Sequence, residues 1–293
     1  MSGVVQTTLQ PAARVERPAR ALLGWMQPNE AVLMLTGRRQ DVAPTDQQKQ
    51  LVGRLRDAVA RRRSGIDQSG IEQPALAALT PYLGELEKDQ AAAGLIASGS
   101  RVALIDLARV IAAQPLVHVD RADERVAIAQ PDDLTSIARV SLPTTQPVEL
   151  PATFDQAQKA WVLTSANPNL RLIGAGQGQA PQGPPILGFS VALVTSFVRI
   201  ARYQERYILV DGYHRAHGFL RRGTKVVPAF VSEVTSFESL GLPPVGMLPQ
   251  DAYLGERPPV LADYLSDEVS AAVIVPVTQK TIAIVGLELQ GVG

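Results

Sequence analysis

The chain has 293 residues, enough to bury one large core or two modest ones. Its 46% hydrophobic and 19% charged residues are those of an ordinary globular protein. Twenty-eight basic residues balance 28 acidic ones, so no global field draws it to nucleic acid or to an anionic membrane, and any such contact must be a local patch. With no cysteine there is no disulfide, no cysteine-ligated zinc and no thiol chemistry, and three histidines are too few for a histidine-rich metal centre. No signal-like start and no spanning apolar run are seen. The expected location is therefore cytoplasmic, including a phage- or plasmid-borne protein of a bacterial cytoplasm.

Residues 1–20, with Pro11 and Pro18 and no hydrophobic period, are expected to form an arm that is flexible or docks on a partner. Leu22–Leu35 fits a short helix or a strand equally. Thr45–Arg63 is the clearest helix: Thr45 suits the N-cap, and Leu51, Val52, Leu55 and Val59 form one stripe. Arg54, Arg56, Arg61, Arg62 and Arg63 make its far end basic, which complements the helix dipole or meets a phosphate or nucleic acid. Pro74–Ala97 is a second helical region with a leucine stripe (Leu76, Leu79, Leu83, Leu86), in which Pro81 starts or kinks a helix.

From Arg101 the texture changes. Val102–Ile105 reads as a strand, Asp106–Ala113 as helical and Leu116–Val119 as a strand in which His118 faces away from its neighbours. Asp120–Glu124 and Gln130–Asp133 read as charged turns, Leu142–Pro151 as irregular and Phe154–Ala160 as a helical turn. Trp161–Thr164 and Leu170–Ile173 are expected to pair around Asn167-Pro168-Asn169. Gly174–Pro185 is glycine-rich without a Walker lysine, and reads as a flexible loop or a lid. Phe189–Ile200 and Tyr203–Val210 alternate as strands with a hairpin bend between them, and Val226–Val231 is a further strand. Beyond it, 241–259 is a proline-rich meander and Val260–Leu265 one helical turn. Ala271–Val277 and Thr281–Leu289 read as a β-hairpin, either core or a self-associating edge.

The chemistry concentrates at Tyr207–Gly223. A strand ends at Asp211-Gly212, and a helix that closes at Gly223 carries two of the three histidines. At about 100° per residue, Ala216, Phe219 and Leu220 gather on one face and His214, His217, Gly218 and Arg221 on the other. The helix N-terminus has unpaired N–H groups and partial positive charge, so it favours an anion such as phosphate. Asp211 is placed to cap the helix or to contact a sugar hydroxyl, a metal or an acceptor. Gly212 permits close approach or a positive φ.

Ile208–Ala216, the following helix and Val226–Val231 resemble the ParB/sulfiredoxin-like superfamily. Its core is a strand, an (Asp)-Gly-x-(His/Arg)-Arg turn, a helix and a Val-Pro-(Val/Ala)-x-Val strand. The Asp-Gly-x-His-Arg form is nearer the DGQHR-type and free-serine-kinase-type branches than chromosome-partitioning ParB. At its widest the resemblance covers residues 100–235. It implies an α/β (α+β) mixed-sheet core over 99–240, and the periodicities above place a mostly helical N-terminal region (1–98) before it and a proline-rich segment with a β-hairpin (241–293) after it. It also implies phosphate binding by Gly212, His214 and Arg215. Tyr213 stands where sulfiredoxin has its cysteine and partitioning ParB its CTP-hydrolysing glutamate. Thiol repair is thereby excluded, and with no helix-turn-helix following, CTP-driven DNA clamping is not expected.

Two function classes follow. In one, the protein is an enzyme of NTP-dependent phosphoryl transfer or hydrolysis, or a nuclease. Its catalytic candidates are Asp211, His214 and His217, with Glu205 as an alternative base or metal ligand. The implied cofactor is a nucleoside triphosphate with Mg²⁺, and the second carboxylate of any metal site is unassigned. In the other, it is a non-catalytic module that recognises a nucleotide or DNA phosphate in a phage, plasmid or DNA-modification system. Homo-oligomerisation is open in both, and no membrane partner is expected.

Overall fold

The computed structural model describes residues 15–285 except 76, 147, 166, 168, 180–182, 184 and 278–279. Its helices and mixed sheets make an α+β fold. Among the described residues no helix is long and apolar enough to cross a membrane.

Strand β1 (Glu16–Ala21) opens the fold and corrects the flexible-arm expectation for its residues: Ala19 and Ala21 are buried, and β1 is the middle strand of a three-stranded sheet. Residues 1–14 of that expectation lie outside the described residues. A 3-10 turn (Leu23–Trp25) and α1 (Pro28–Leu35) make the next stretch helical, with Pro28 at the first position, where its missing N–H costs nothing. Helix α2 (Asp46–Arg61) forms on its local signals. The Thr45 hydroxyl accepts the Gln48 amide, the Gln48 side chain accepts the Thr45 amide, and Val52 and Leu55 are buried. After β2 (Glu72–Pro74), Pro81 starts α3 (Thr80–Leu86) rather than kinking a longer helix. Asp89 then caps α4 (Gln90–Ala97).

Next come β3 (Arg101–Asp106), β4 (Ile111–Ala112), β5 (Leu116–His118), α5 (Val119–Val126) and α6 (Leu134–Ser141). Two expectations are corrected here. Asp106–Ala113 is a 3-10 turn (Leu107–Arg109) running into a strand, because Val110–Ala113 is buried on all sides and joins a sheet edge. Asp120–Glu124 is helical: its charges lie on the outer side of α5 while Ala122 and Val126 face inward. Helix α6, capped by Asp133, was not foreseen.

In the next stretch, β6 (Thr153–Asp155) and β7 (Ala160–Ser165) pair with each other, so Phe154–Ala160 is a strand and a turn, not a helical turn. The expected pairing of Trp161–Thr164 with Leu170–Ile173 does not occur. Instead β8 (Leu170–Gln179) pairs with β9 (Pro185–Leu193), which makes Gly174–Gln179 strand rather than loop; residues 180–182 and 184 of that expectation lie outside the described residues.

Strands β10 (Arg199–Tyr203) and β11 (Arg206–Asp211) form a hairpin at the expected bend, but Phe189–Ile200 is not one strand: it divides between β9 and β10 across the irregular 194–198. β11 runs into α7 (Tyr213–Arg221) and then β12 (Val226–Glu233). The central sheet has the order β2-β3-β12-β10-β11-β4, with β12 parallel to β10 and β4 parallel to β11. The proline-rich segment contains α8 (Gln250–Leu254), and Leu261–Leu265 is the expected single turn. The last strands do not form a hairpin. β13 (Ala271–Pro276) pairs with β1, and β14 (Lys280–Val285) pairs with β7. Residues 286–289 of that expectation lie outside the described residues.

Candidate functional site: the cleft at the start of α7

Strand β11 ends by delivering Asp211 to the sheet edge, and Gly212 turns the chain into α7. Gly212 has φ +91°, and a Cβ there would lie 2.9 Å from the Val198 Cα, so both conformation and space demand glycine. Asp211 does not cap the helix. One carboxylate oxygen accepts the Gly212 amide at 2.7 Å and the other the Ser196 hydroxyl at 2.9 Å. The first helical hydrogen bond runs from the Ala216 amide to the Gly212 carbonyl, so the earlier first-turn amides have no helix carbonyl to meet.

The motif side chains divide between fastening and opening. The buried Tyr213 hydroxyl accepts the Ala113 amide at 2.9 Å and the Gln114 amide at 3.3 Å, and donates to the Leu209 carbonyl; burial raises its pKa. Arg215, 6% exposed, donates to the carbonyls of Val140 at 3.2 Å and Ser196 at 2.6 Å and to the Ser196 hydroxyl. It thereby ties α6 to the segment before β10, and burial lowers its pKa to about 10. Ser196 links Arg215 to Asp211, so the three side chains form one fixed chain of hydrogen bonds.

Nε2 of His214 accepts the His118 amide at 3.2 Å, and the two rings stack at 5.8 Å with 3° between planes. Burial, and then His118, push the His214 pKa down to about 3; burial pushes His118 to about 4. His214 is therefore neutral at pH 7, with its ring proton on Nδ1 because Nε2 is an acceptor.

His217 is not at the site. It is fully buried, edge-on to Tyr264 at 5.7 Å, and neither ring nitrogen has a hydrogen-bond partner among the described residues. The two-faced wheel is corrected with it: Tyr213 and all of Arg215–Leu220 are buried, because α5 covers the side expected to face solvent. Glu205 lies at the opposite end of β11, ion-paired with Arg202.

The cleft itself is about 270 Å³ in volume. Asp211, Gly212, Tyr213, His214 and Arg215 line it, together with Gln114, Arg125, Asn169, Ser196, Val210, Pro243 and Met247. Among the described residues Asp211 is the only carboxylate of the lining, against two guanidiniums and a neutral imidazole. Arg125, in the last turn of α5, is exposed and makes no ion pair among the described residues. No group of three or more metal-ligating side chains converges among the described residues. The sequence reading missed Gln114, Arg125, Asn169 and Ser196. No local pattern marks them, because they reach the cleft from four separate segments; only the helical period of α5 could have pointed to Arg125.

No family model, curated protein or solved structure matches the chain.

Proposed function

We propose that this cleft binds the phosphate of a nucleotide, in keeping with the resemblance of Asp211–Arg215 to the ParB/sulfiredoxin-like superfamily. The observation that carries the reading is the first turn of α7 beside the unpaired Arg125. First-turn amides and an exposed guanidinium with no ion pair among the described residues, on one small cleft, suit an anion. Gly212 lets the ligand approach the backbone, and neutral His214 donates from Nδ1. Arg215 contributes its charge from a fixed position. Pro243 and Met247 form an apolar lip on which a sugar or base would rest. Mg²⁺ commonly reaches such a site with its phosphates and one or two carboxylates. Asp211, held by Ser196 and Gly212, is the carboxylate that would take it. The chemistry favoured is binding, with phosphoryl transfer or hydrolysis through Asp211-held Mg²⁺ as its catalytic extension. His217 has no part in either.

The test is calorimetric titration of the full chain and its Arg125→Ala variant with NTPs, NDPs, inorganic phosphate and short DNA, each with and without Mg²⁺. Nucleotide binding weakened about 10- to 100-fold by Arg125→Ala is expected, as for loss of one charged hydrogen bond. Wild-type protein that binds no nucleotide overturns the reading. DNA binding without nucleotide binding would move it to the non-catalytic DNA module.

A further inference from the structure

A second cavity lies in the helical region. A groove of about 550 Å³ runs between α1 and α2, within the range of small-molecule sites. Val32, Leu33 and Val42 belong to its apolar wall, while Arg39, Lys49 and Arg56 stand around it, and among the described residues no carboxylate lines it. The partners of these cations are weakly held. Arg39 meets Glu16 at 3.1 Å and Lys49 meets Asp46 at 3.3 Å, both at the surface, where ion pairs contribute little. Arg56 donates to the Met26 carbonyl and makes no ion pair among the described residues.

A separate observation concerns the groove wall. Gly53 lies inside α2, where glycine weakens a helix, yet a Cβ there would meet nothing within 4 Å. Packing within the protein does not ask for glycine at this position. Its missing side chain leaves open the space that a larger residue would take from the groove.

We propose that the α1–α2 groove binds a small amphipathic carboxylate of the kind represented by a medium-chain fatty acid. The alkyl body lies along Val32, Leu33 and Val42 and passes over Gly53, and the carboxylate is held among Arg39, Lys49 and Arg56. An uncharged body of the same shape lacks the second half of this recognition, and an inorganic anion lacks the first.

The probe is 1-anilinonaphthalene-8-sulfonate, an aromatic body with an anionic head, followed by fluorescence on the full chain. Saturable binding is expected, displaced by decanoate and at least 10-fold more weakly by decanol. Gly53→Leu should weaken it at least 10-fold while near-UV circular dichroism stays native. Gly53→Ala should keep binding and raise the melting temperature. Lys49→Glu should weaken decanoate more than decanol. Absence of probe binding, or equal binding by a natively folded Gly53→Leu protein, overturns the proposal. Probe binding that falls with rising protein concentration as a dimer forms assigns the groove to a second copy and also overturns it.

Discussion

His217 is buried edge-on against Tyr264 with both ring nitrogens unpartnered, and burial, then Arg221, lowers its pKa from 6.5 to about 4. The unfolded chain takes up a proton near pH 6.5 that the folded chain refuses until about pH 4. Stability from this site is therefore complete above pH 6.5 and is lost as pH falls through that window. At about 1.4 kcal/mol per pH unit, the loss between pH 7 and 5 is of the order of 2 kcal/mol. His118 and His214 are shifted in the same direction and add to the slope. His217→Leu removes two unpaired buried nitrogens at similar volume, so it should leave stability at pH 7 unchanged or raised. It should also flatten the pH 7-to-5 decline measured by urea denaturation. An unchanged decline would mean that His217 is protonated in the folded protein.

At the scale of elements, α5 and α7 meet so closely that Gly218 has no room for a methyl group. A Cβ there would lie 2.5 Å from the Ala122 carbonyl oxygen and 2.9 Å from a Val126 methyl. Gly218→Ala improves helix propensity by up to about 1 kcal/mol, but the two helices must move apart. The overpacking outweighs the gain, and a net loss of about 1–3 kcal/mol of unfolding free energy, read as a lowered urea midpoint, is expected. A more stable variant would show that the crossing yields easily. The same crossing explains what was legible in the sequence. Helix α2 was legible because its cap and stripe are local, and so was the Asp211-Gly212 start of α7. The burial of His217 was not, because a helical wheel sees only its own helix, and Tyr264, against which His217 packs, arrives from a distant turn, while α5, which packs on Gly218, reads as a charged turn. Strand pairing failed for a different reason: β13 and β14 have a short connection that mimics a hairpin, yet each finds a partner far away in the chain. In the cleft, Asp211–Arg215 were found by contiguity, and Arg125, arriving from another element, was not.

At the scale of the molecule, the N-terminal region closes on the segment from Arg257 to β13. β1 lies between β13 and β5, and the Arg20 guanidinium donates to the Tyr264 carbonyl at 2.7 Å and the Ser270 hydroxyl at 2.6 Å. Arg62, just after α2, holds buried Asp263 through two hydrogen bonds of 2.8 and 2.7 Å, and the Trp25 indole donates to the Arg257 carbonyl at 2.7 Å. The N-terminal region therefore shares its sheet and its buried ion pair with the C-terminal segment, which predicts that they unfold together. The chain supplies its own reporter: Trp25 is 7% exposed within this junction, whereas Trp161 is 54% exposed on β7. In a Trp161→Phe background, Trp25 fluorescence and far-ultraviolet circular dichroism should trace one urea transition. Adding Arg62→Ala strands the Asp263 carboxylate. Breaking a buried pair costs about 3–5 kcal/mol, and partial exposure of Arg62 reduces that to about 2–3 kcal/mol. Both signals should shift by this amount together. If the fluorescence transition moves ahead while the dichroism stays in place, the N-terminal region is a separable unit, and the contacts between the two regions do not hold the fold together.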